Sequence, residues 1–172
     1  MMDPVTAVKT CFKKYVDFKG RARRSEFWWL ALFVIVASSA LTFLSGLLPA
    51  MSYVSAAFTL ATLIPLFSAL TRRLHDTGLS GWLVALMALL FLGYYVSASV
   101  LLGPNIAMLA NGGDMMSMAG EVANMIQSSP GVATVMMCCS LGFVLLFVIN
   151  HILAIRDSKW GENKYGPSPK YQ

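Results

Sequence analysis

Residues 27–48 read FWWLALFVIVASSALTFLSGLL, a stretch of 22 residues without one charged side chain. At about 1.5 Å of rise per residue, a helix of this length covers the ~30 Å hydrocarbon core of a bilayer. The stretch lacks the alternating pattern of a membrane β-strand, and in lipid the backbone polar groups must pair within their own segment. It therefore predicts a transmembrane helix.

Three further stretches of the chain are equally long and contain no Asp, Glu, Lys or Arg. Over the whole chain, 57% of the residues are hydrophobic and 12% are charged, against about a quarter charged in soluble domains. This balance excludes a water-soluble globular fold. We predict an all-α membrane protein, a four-transmembrane-helix bundle that forms a single domain over 1–172. The predicted spans are 27–48, 51–71, 82–102 and 132–155.

The positive charges are placed unevenly, and their placement predicts the orientation. The outer connection 103–131 carries Asp114 and Glu121 but no Lys or Arg. The positive-inside rule therefore predicts that both termini and the connection between spans 2 and 3 are cytoplasmic. The same placement argues for lipid rather than nucleic acid as the partner of a chain with net charge +5. All thirteen Lys and Arg residues lie in 1–26, 72–76 and 156–172.

The segment before the first span carries helix signals. Asp3 is a suitable N-cap and Pro4 a suitable first helical residue. We predict an amphipathic helix over 4–19 that lies along the inner headgroups; the alternative is a disordered basic arm. A tight turn is expected at Pro49, and Asp114 can cap a short helix in the outer connection. The apolar residues at helical spacing are Val5, Val8, Phe12, Tyr15 and Val16.

Three polar runs face the cytoplasm in this topology and can form one polar cap. The run from Arg72 to Trp82, RRLHDTGLSGW, places two guanidinium groups, an imidazole and a carboxylate beside a Gly-x-Ser-Gly turn. It can cradle a phosphate or carboxylate, or Arg72 or Arg73 can simply pair with Asp76. Glu26 lies at the start of span 1, where a carboxylate is costly unless it pairs with a cation. Arg72 and Arg73 are the candidate partners. The candidate binding residues are Arg21, Arg23, Arg24, Glu26, Arg72, Arg73, His75, Asp76, Ser80, Asn163 and Tyr165.

The three runs together resemble the DUF805 family of small bacterial inner-membrane proteins. The resemblance rests on Phe18-x-Gly-Arg-x-Arg-Arg-x-Glu-Phe-Trp28, on Arg72-Arg-Leu-His-Asp-x-Gly-x-Ser-Gly-Trp82 and on Asn163-Lys-Tyr-Gly-Pro-x-Pro169. It covers nearly the whole chain, although the outer connection is longer than the usual one. The resemblance implies a bacterial inner-membrane location and carries no established activity.

Three functions remain open from the sequence. The leading hypothesis is a non-enzymatic protein whose cap binds an anionic headgroup, a phosphorylated ligand or a partner protein, with a homo-oligomer as one possibility. The second is a small transporter or channel component. The third is a membrane enzyme that acts on a phosphate compound with His75 and Asp76 as an acid–base pair. The sequence predicts no catalytic residue, no metal site and no cofactor, and the cysteines Cys11, Cys138 and Cys139 lack metal-ligand spacing.

Overall fold

The computed structural model describes residues 2–48, 50–110 and 115–169, with the backbone alone described at 101–110, 115 and 118. The expected turn at Pro49 and the expected cap at Asp114 lie outside these residues. All regular structure in the described ranges is helical, apart from one isolated bridge between Asn163 and Gly166. The helices are α1 (Pro4–Lys13), α2 (Arg24–Leu47), α3 (Met51–Asp76), α4 (Trp82–Ala110), α5 (Met115–Ser128) and α6 (Pro130–Ile155).

Four of these helices are long and apolar enough to cross a membrane, namely α2, α3, α4 over Trp82–Val100, and α6. The all-helical architecture with four apolar spans is therefore confirmed. α5 has 14 residues, about 21 Å of helix, and is too short to cross. α5 and the end of α4, which continues to Ala110, occupy much of the connection 103–131, in which a short helix was expected.

Two helices extend past the predicted spans into polar sequence. α2 begins at Arg24 rather than at 27, and α3 continues to Asp76 rather than ending at 71. The run Arg72–Asp76 is thus the last turn of a helix and not a loop. Its polar side chains stay in the helix because each finds a partner on a neighbouring segment, as described below.

The N-terminal helix starts as its capping signals predict and ends early. The Asp3 carboxylate accepts a hydrogen bond of 2.9 Å from the Thr6 backbone N–H. The Thr6 side chain and then this N–H stabilise the carboxylate and lower the pKa of Asp3. α1 ends at Lys13 rather than at 19. The Ser68 hydroxyl contacts the backbone carbonyls of Lys14 at 3.0 Å and Asp17 at 2.8 Å. These tertiary contacts take the place of helical bonds and turn the chain towards α3.

Pro65 lies inside α3 and has no N–H to donate to the carbonyl one turn before it. That carbonyl belongs to Ala61, and the Tyr15 hydroxyl donates a hydrogen bond to it. The segment after α1 therefore satisfies the acceptor that the proline leaves free, as membrane helices with internal proline require.

The chain divides into two compact units, Met1–Val84 together with Asn150–Gln172, and Ala85–Ile149. In the first unit α1 packs against α2 and α3, and the α1 residues that become buried are the small Ala7 and Cys11. In the second unit the rings of Phe91 and Phe143 lie 5.5 Å apart. A Cβ at Gly93 would lie 2.9 Å from the Cys139 sulfur, so glycine permits this close approach.

Candidate functional site

The three polar runs of the sequence meet in the first unit. The start of α2 with the segment before it, the last turn of α3 and the tail after α6 lie together. Five charged side chains of the first two are buried: Arg21, Glu26, Arg72, Arg73 and Asp76. Arg72, Arg73 and Asp76 are completely buried. We call the following set the buried ion-pair cluster: Arg21, Glu26, Arg72, Arg73, Asp76 and Ser158.

Asp76 is the acceptor at the centre of this cluster. Its Oδ1 atom lies 2.9 Å from Nε of Arg21. Its Oδ2 atom accepts hydrogen bonds from Nη1 of Arg73 and from the Ser158 hydroxyl. A buried carboxylate is tolerated when it is paired and its oxygens are hydrogen-bonded, and Asp76 meets both conditions.

Arg21 holds the C-terminal tail through backbone carbonyls. Its Nη2 atom donates to the carbonyl of Lys159 at 2.6 Å, and its Nη1 atom donates to the carbonyls of Gly161 at 2.8 Å and Gly166 at 3.1 Å. Both glycines have positive φ, 77° and 114°, a backbone conformation that other residues adopt at a cost. Three backbone carbonyls of the tail therefore accept hydrogen bonds from the single guanidinium group of Arg21.

Arg73 closes the end of α6. Its Nε atom donates to the Ala154 carbonyl at 3.0 Å, and its Nη2 atom donates to the Arg156 carbonyl. The last carbonyls of a helix have no partner within the helix and carry partial negative charge. Arg73 satisfies two acceptors at the end of α6 while it pairs with Asp76.

A second ion pair lies beside the first. Nη1 of Arg72 donates to Oε1 of Glu26, and both side chains are buried. The Cys11 thiol lies 3.8 Å from the same carboxylate oxygen. Burial and the nearby Glu26 charge raise the pKa of Cys11 to about 12. The Nε and Nη2 atoms of Arg72 are buried and have no hydrogen-bond partner among the described residues.

His75 points away from Asp76 and packs on the tail. Its ring stacks on Tyr165 with centroids 3.7 Å apart and planes 6° from parallel. Its Nδ1 atom lies 3.2 Å from the Gly20 carbonyl, and Asn163 donates to the His75 backbone carbonyl at 3.0 Å. No group of three or more His, Cys, Asp or Glu side chains suited to a metal ion occurs in the part of the chain that the structure describes.

A cleft of about 530 Å³ opens beside the buried cluster, between the start of α2 and the segment after α6. Arg24 lies at this cleft and is 44% exposed; its Nη2 atom is 3.7 Å from Oδ1 of Asp157, which is 55% exposed. Across the described ranges Arg23 takes part in no salt bridge. The cleft is lined by Arg23, Arg24, Ser25, Trp28, Trp29, Asp157 and Ser158.

The structure thus separates the eleven candidate residues into two groups. Six of them are buried and engaged in protein contacts: Arg21, Glu26, Arg72, Arg73, His75 and Asp76. The other five are exposed or half-buried: Arg23, Arg24, Ser80, Asn163 and Tyr165. Arg23 and Arg24 lie at the cleft, whereas Asn163 and Tyr165 contact His75.

Sequence reasoning missed Ser158, Cys11 and the tail carbonyls. Ser158 and Cys11 are small polar residues that belong to none of the three motifs. Every residue has a backbone carbonyl, so the sequence does not indicate which carbonyls accept the hydrogen bonds. The one signal in the sequence was the presence of glycines in the tail, because glycine adopts positive φ angles more readily than other residues.

Comparison with known proteins identifies one family. The family model described as "Protein of unknown function (DUF805)" matches residues 15–167. The chain is 36% identical over 85 residues to Inner membrane protein YhaI of Escherichia coli strain K12, covering 49% of this chain and 72% of that relative. It is 33% identical over 93 residues to Inner membrane protein YhaH of the same strain, covering 49% and 74%. No solved structure gives a significant match.

Proposed function

Because this chain belongs to the DUF805 family, whose members have no established function, we propose from its geometry that it binds the phosphate of an anionic membrane lipid at the cleft beside α2. It is a multi-pass inner-membrane protein of the kind that its relatives' names describe. The role proposed is binding rather than catalysis, since His75 and Asp76 are each held by structural contacts.

The proposed orientation has both termini in the cytoplasm. It is supported by the Lys and Arg residues, which occur only before span 1, between spans 2 and 3 and after span 4. Reporter enzymes fused separately to the two termini test it. Both fusions should report from the cytoplasmic side, and a periplasmic signal from either terminus would reject the orientation.

The observation that carries the proposal is the contrast between the buried and the exposed arginines. Arg21, Arg72 and Arg73 are buried in protein contacts, so they are inaccessible to a ligand. Arg23 and Arg24 line an open cleft next to Trp28 and Trp29. Guanidinium groups recognise phosphate by paired hydrogen bonds, and Trp is typical of the headgroup region of a bilayer.

The net charge of the cleft also favours an anion. Arg23 and Arg24 contribute two positive charges and Asp157 one negative charge, which leaves one positive charge at the lining. The Arg24–Asp157 pair is exposed and long, 3.7 Å, and such surface pairs contribute little. A phosphate can therefore displace Asp157 from Arg24.

The experiment compares lipid binding by the purified full chain with binding by Arg23→Ala/Arg24→Ala. Each arginine lost removes at least one hydrogen bond to the charged phosphate, about 1.5 kcal/mol, so the double variant should bind phosphatidylglycerol in neutral nanodiscs roughly 150-fold more weakly. Lys13→Ala/Lys19→Ala is the matched control, because both lysines are exposed and the loss of charge is the same. An equal loss in the control would show a general charge effect and reject the cleft.

A second arm of the experiment separates a lipid from a soluble phosphate compound. Glycerol 3-phosphate carries the same phosphate chemistry without acyl chains. Binding of the lipid but not of millimolar glycerol 3-phosphate supports a lipid headgroup. Equal affinity for the two would identify a free phosphate compound as the ligand and reject the lipid.

A further inference from the structure

An apolar groove of about 570 Å³ runs between α1 and α2. It exists because α1 contacts its neighbours through the small residues Ala7 and Cys11, while larger apolar side chains beside them stay apart. Phe12 meets the Phe33 ring edge-on at 6.3 Å and fixes one wall. Its apolar walls include Val5, Val8, Leu32, Phe33, Val36 and Ala37.

The groove adjoins the arginine cleft. Trp29 lines both of them, with Arg23 and Arg24 on one side of it and the apolar walls on the other. Lys9 contributes a third cation at the groove. The groups that can bind phosphate are therefore followed by an apolar lining. A phospholipid carries its phosphate and its acyl chains in the same order.

The length of the groove suits one membrane leaflet. Its α2 wall extends from Trp29 to Ala40, twelve residues that span about 16 Å of helix. Half of the ~30 Å hydrocarbon core is about 15 Å. Two wall residues remain largely exposed within the protein, Val5 at 61% and Val36 at 60%, so the walls have apolar surface to cover.

We propose that the groove holds an acyl chain of the same anionic phospholipid whose phosphate lies at the cleft. The inference rests on the proposed headgroup function and adds to it that recognition includes the chain. It identifies the ligand class as a single, specifically held phospholipid, in contrast to the exchanging lipids that surround any transmembrane helix.

The test uses tryptophan quenching by lipids with brominated acyl chains. The protein carries Trp82→Phe and Trp160→Phe, both exposed and outside the cleft, so that Trp28 and Trp29 report. Brominated phosphatidylglycerol should quench in a saturable manner at a low mole fraction in neutral lipid. Brominated phosphatidylcholine should quench only in proportion to its mole fraction.

Ala37→Phe tests the groove, because it places a ring in the space between the walls. It should weaken the saturable quenching about tenfold. Ala57→Phe is the matched control, since Ala57 is exposed on α3 and does not line the groove; it should leave the quenching unchanged. Val5→Ser is a second groove variant: Val5 is 61% exposed, so the substitution should spare the fold while it removes part of the apolar wall, and the test remains decisive if Ala37→Phe fails to fold.

The outcomes distinguish the two proposals. Saturable quenching by phosphatidylglycerol that Ala37→Phe and Val5→Ser leave unchanged, with headgroup binding still weakened in Arg23→Ala/Arg24→Ala, would overturn the groove and leave the cleft in place. No specific phosphatidylglycerol binding in either assay would reject both. Saturable quenching that is lost in Ala37→Phe and kept in Ala57→Phe supports the inference.

Discussion

Arg21 and Asp76 stand 55 positions apart in the chain and form a buried ion pair, with 2.9 Å between Nε and Oδ1. The pair joins the segment before α2 to the last residue of α3. The buried cluster holds three arginines and two carboxylates and so has a net charge of +1. Arg72 and Glu26 balance each other, which leaves Arg21 and Arg73 against the single carboxylate of Asp76. The remaining positive charge lies against carbonyls at the end of α6, which carry partial negative charge.

The first prediction concerns Asp76→Asn, which removes the carboxylate shared by Arg21 and Arg73. Removing one partner of a buried ion pair leaves an uncompensated charge and costs about 3–5 kcal/mol. We expect the free energy of unfolding in mixed micelles to fall by that amount, measured by titration with dodecyl sulfate. Both arginines keep their carbonyl acceptors, so the variant should still insert.

Asp157→Asn is the control for Asp76→Asn. It makes the same chemical change at a carboxylate that is 55% exposed and 3.7 Å from its arginine. Exposed pairs contribute about 0–1 kcal/mol, so its unfolding free energy should stay within that range of the parent. Equal effects of the two variants would show that the Asp76 cluster is not structural.

The second prediction concerns Arg21→Lys and the tail. Arg21 makes five hydrogen bonds from one planar group, three of them to tail carbonyls. Lysine keeps the charge but cannot reproduce that geometry, and hydrogen bonds to charged groups contribute about 1.5–3 kcal/mol. We expect trypsin to cleave the tail after Lys159 or Lys164 at least about tenfold faster, measured by mass spectrometry of the native protein.

Arg156→Lys serves as the control for tail docking. Its side chain is exposed, and the substitution preserves a trypsin site in the same segment. Its cleavage rate should match that of the parent. If Arg21→Lys is cleaved no faster than this control, Arg21 does not hold the tail.

The sequence predicted the spans but could not assign the partners within the buried cluster. The hydropathy of a segment depends only on the residues of that segment, so the four apolar helices could be predicted from composition. Glu26 and Asp76 each had two candidate arginines, because Arg72 and Arg73 are adjacent. Consecutive helix positions differ in direction by about 100°, so the two arginines point to different neighbours. Only the tertiary structure shows that Arg72 pairs with Glu26 and Arg73 with Asp76.

The same limit applies to the ends of α1 and α3. Propensity and capping placed the start of α1 at Pro4, but its end depends on the Ser68 contacts, which come from a residue 54 positions away in the chain. The run Arg72–Asp76 stays helical because α2, the end of α6 and the tail supply partners for its polar groups. Such long-range contacts have no local signal.

The third prediction concerns the reactivity of Cys11. Its pKa, raised to about 12 by burial and by Glu26, keeps the thiol protonated, and only the thiolate is nucleophilic. In a chain with Cys138→Ala and Cys139→Ala, iodoacetamide at pH 8 should modify Cys11 about a thousandfold more slowly than an ordinary thiol. The rate should keep rising with pH towards 12, whereas an ordinary thiol levels off above its pKa near 8.5.

Unfolding in dodecyl sulfate is the control for Cys11, because it restores an ordinary thiol. Labelling followed by mass spectrometry should then be complete within the time in which the native protein shows almost none. Native labelling at the unfolded rate would mean that α1 does not bury Cys11 against Glu26.

The fourth prediction concerns Gly81, in the turn between α3 and α4. A Cβ at this position would lie 2.5 Å from Cγ2 of Thr71, closer than real Cβ atoms approach another carbon. Gly81→Ala should therefore lower the unfolding free energy by about 1–3 kcal/mol, the usual range for overpacking. Gly46→Ala is the control: no atom lies within 4 Å of its added Cβ and it is inside α2, so it should stabilise by about 0.5–1 kcal/mol.

Thr71→Ser identifies the cause of the effect at Gly81. This substitution deletes Cγ2 and keeps the hydroxyl, so it removes the atom that the new Cβ would meet. The double variant Gly81→Ala/Thr71→Ser should be more stable than the sum of the two single effects allows, by about 0.5–3 kcal/mol of coupling. Strictly additive effects would place the strain elsewhere in the turn and would show that the close packing of Thr71 on Gly81 does not explain the need for glycine.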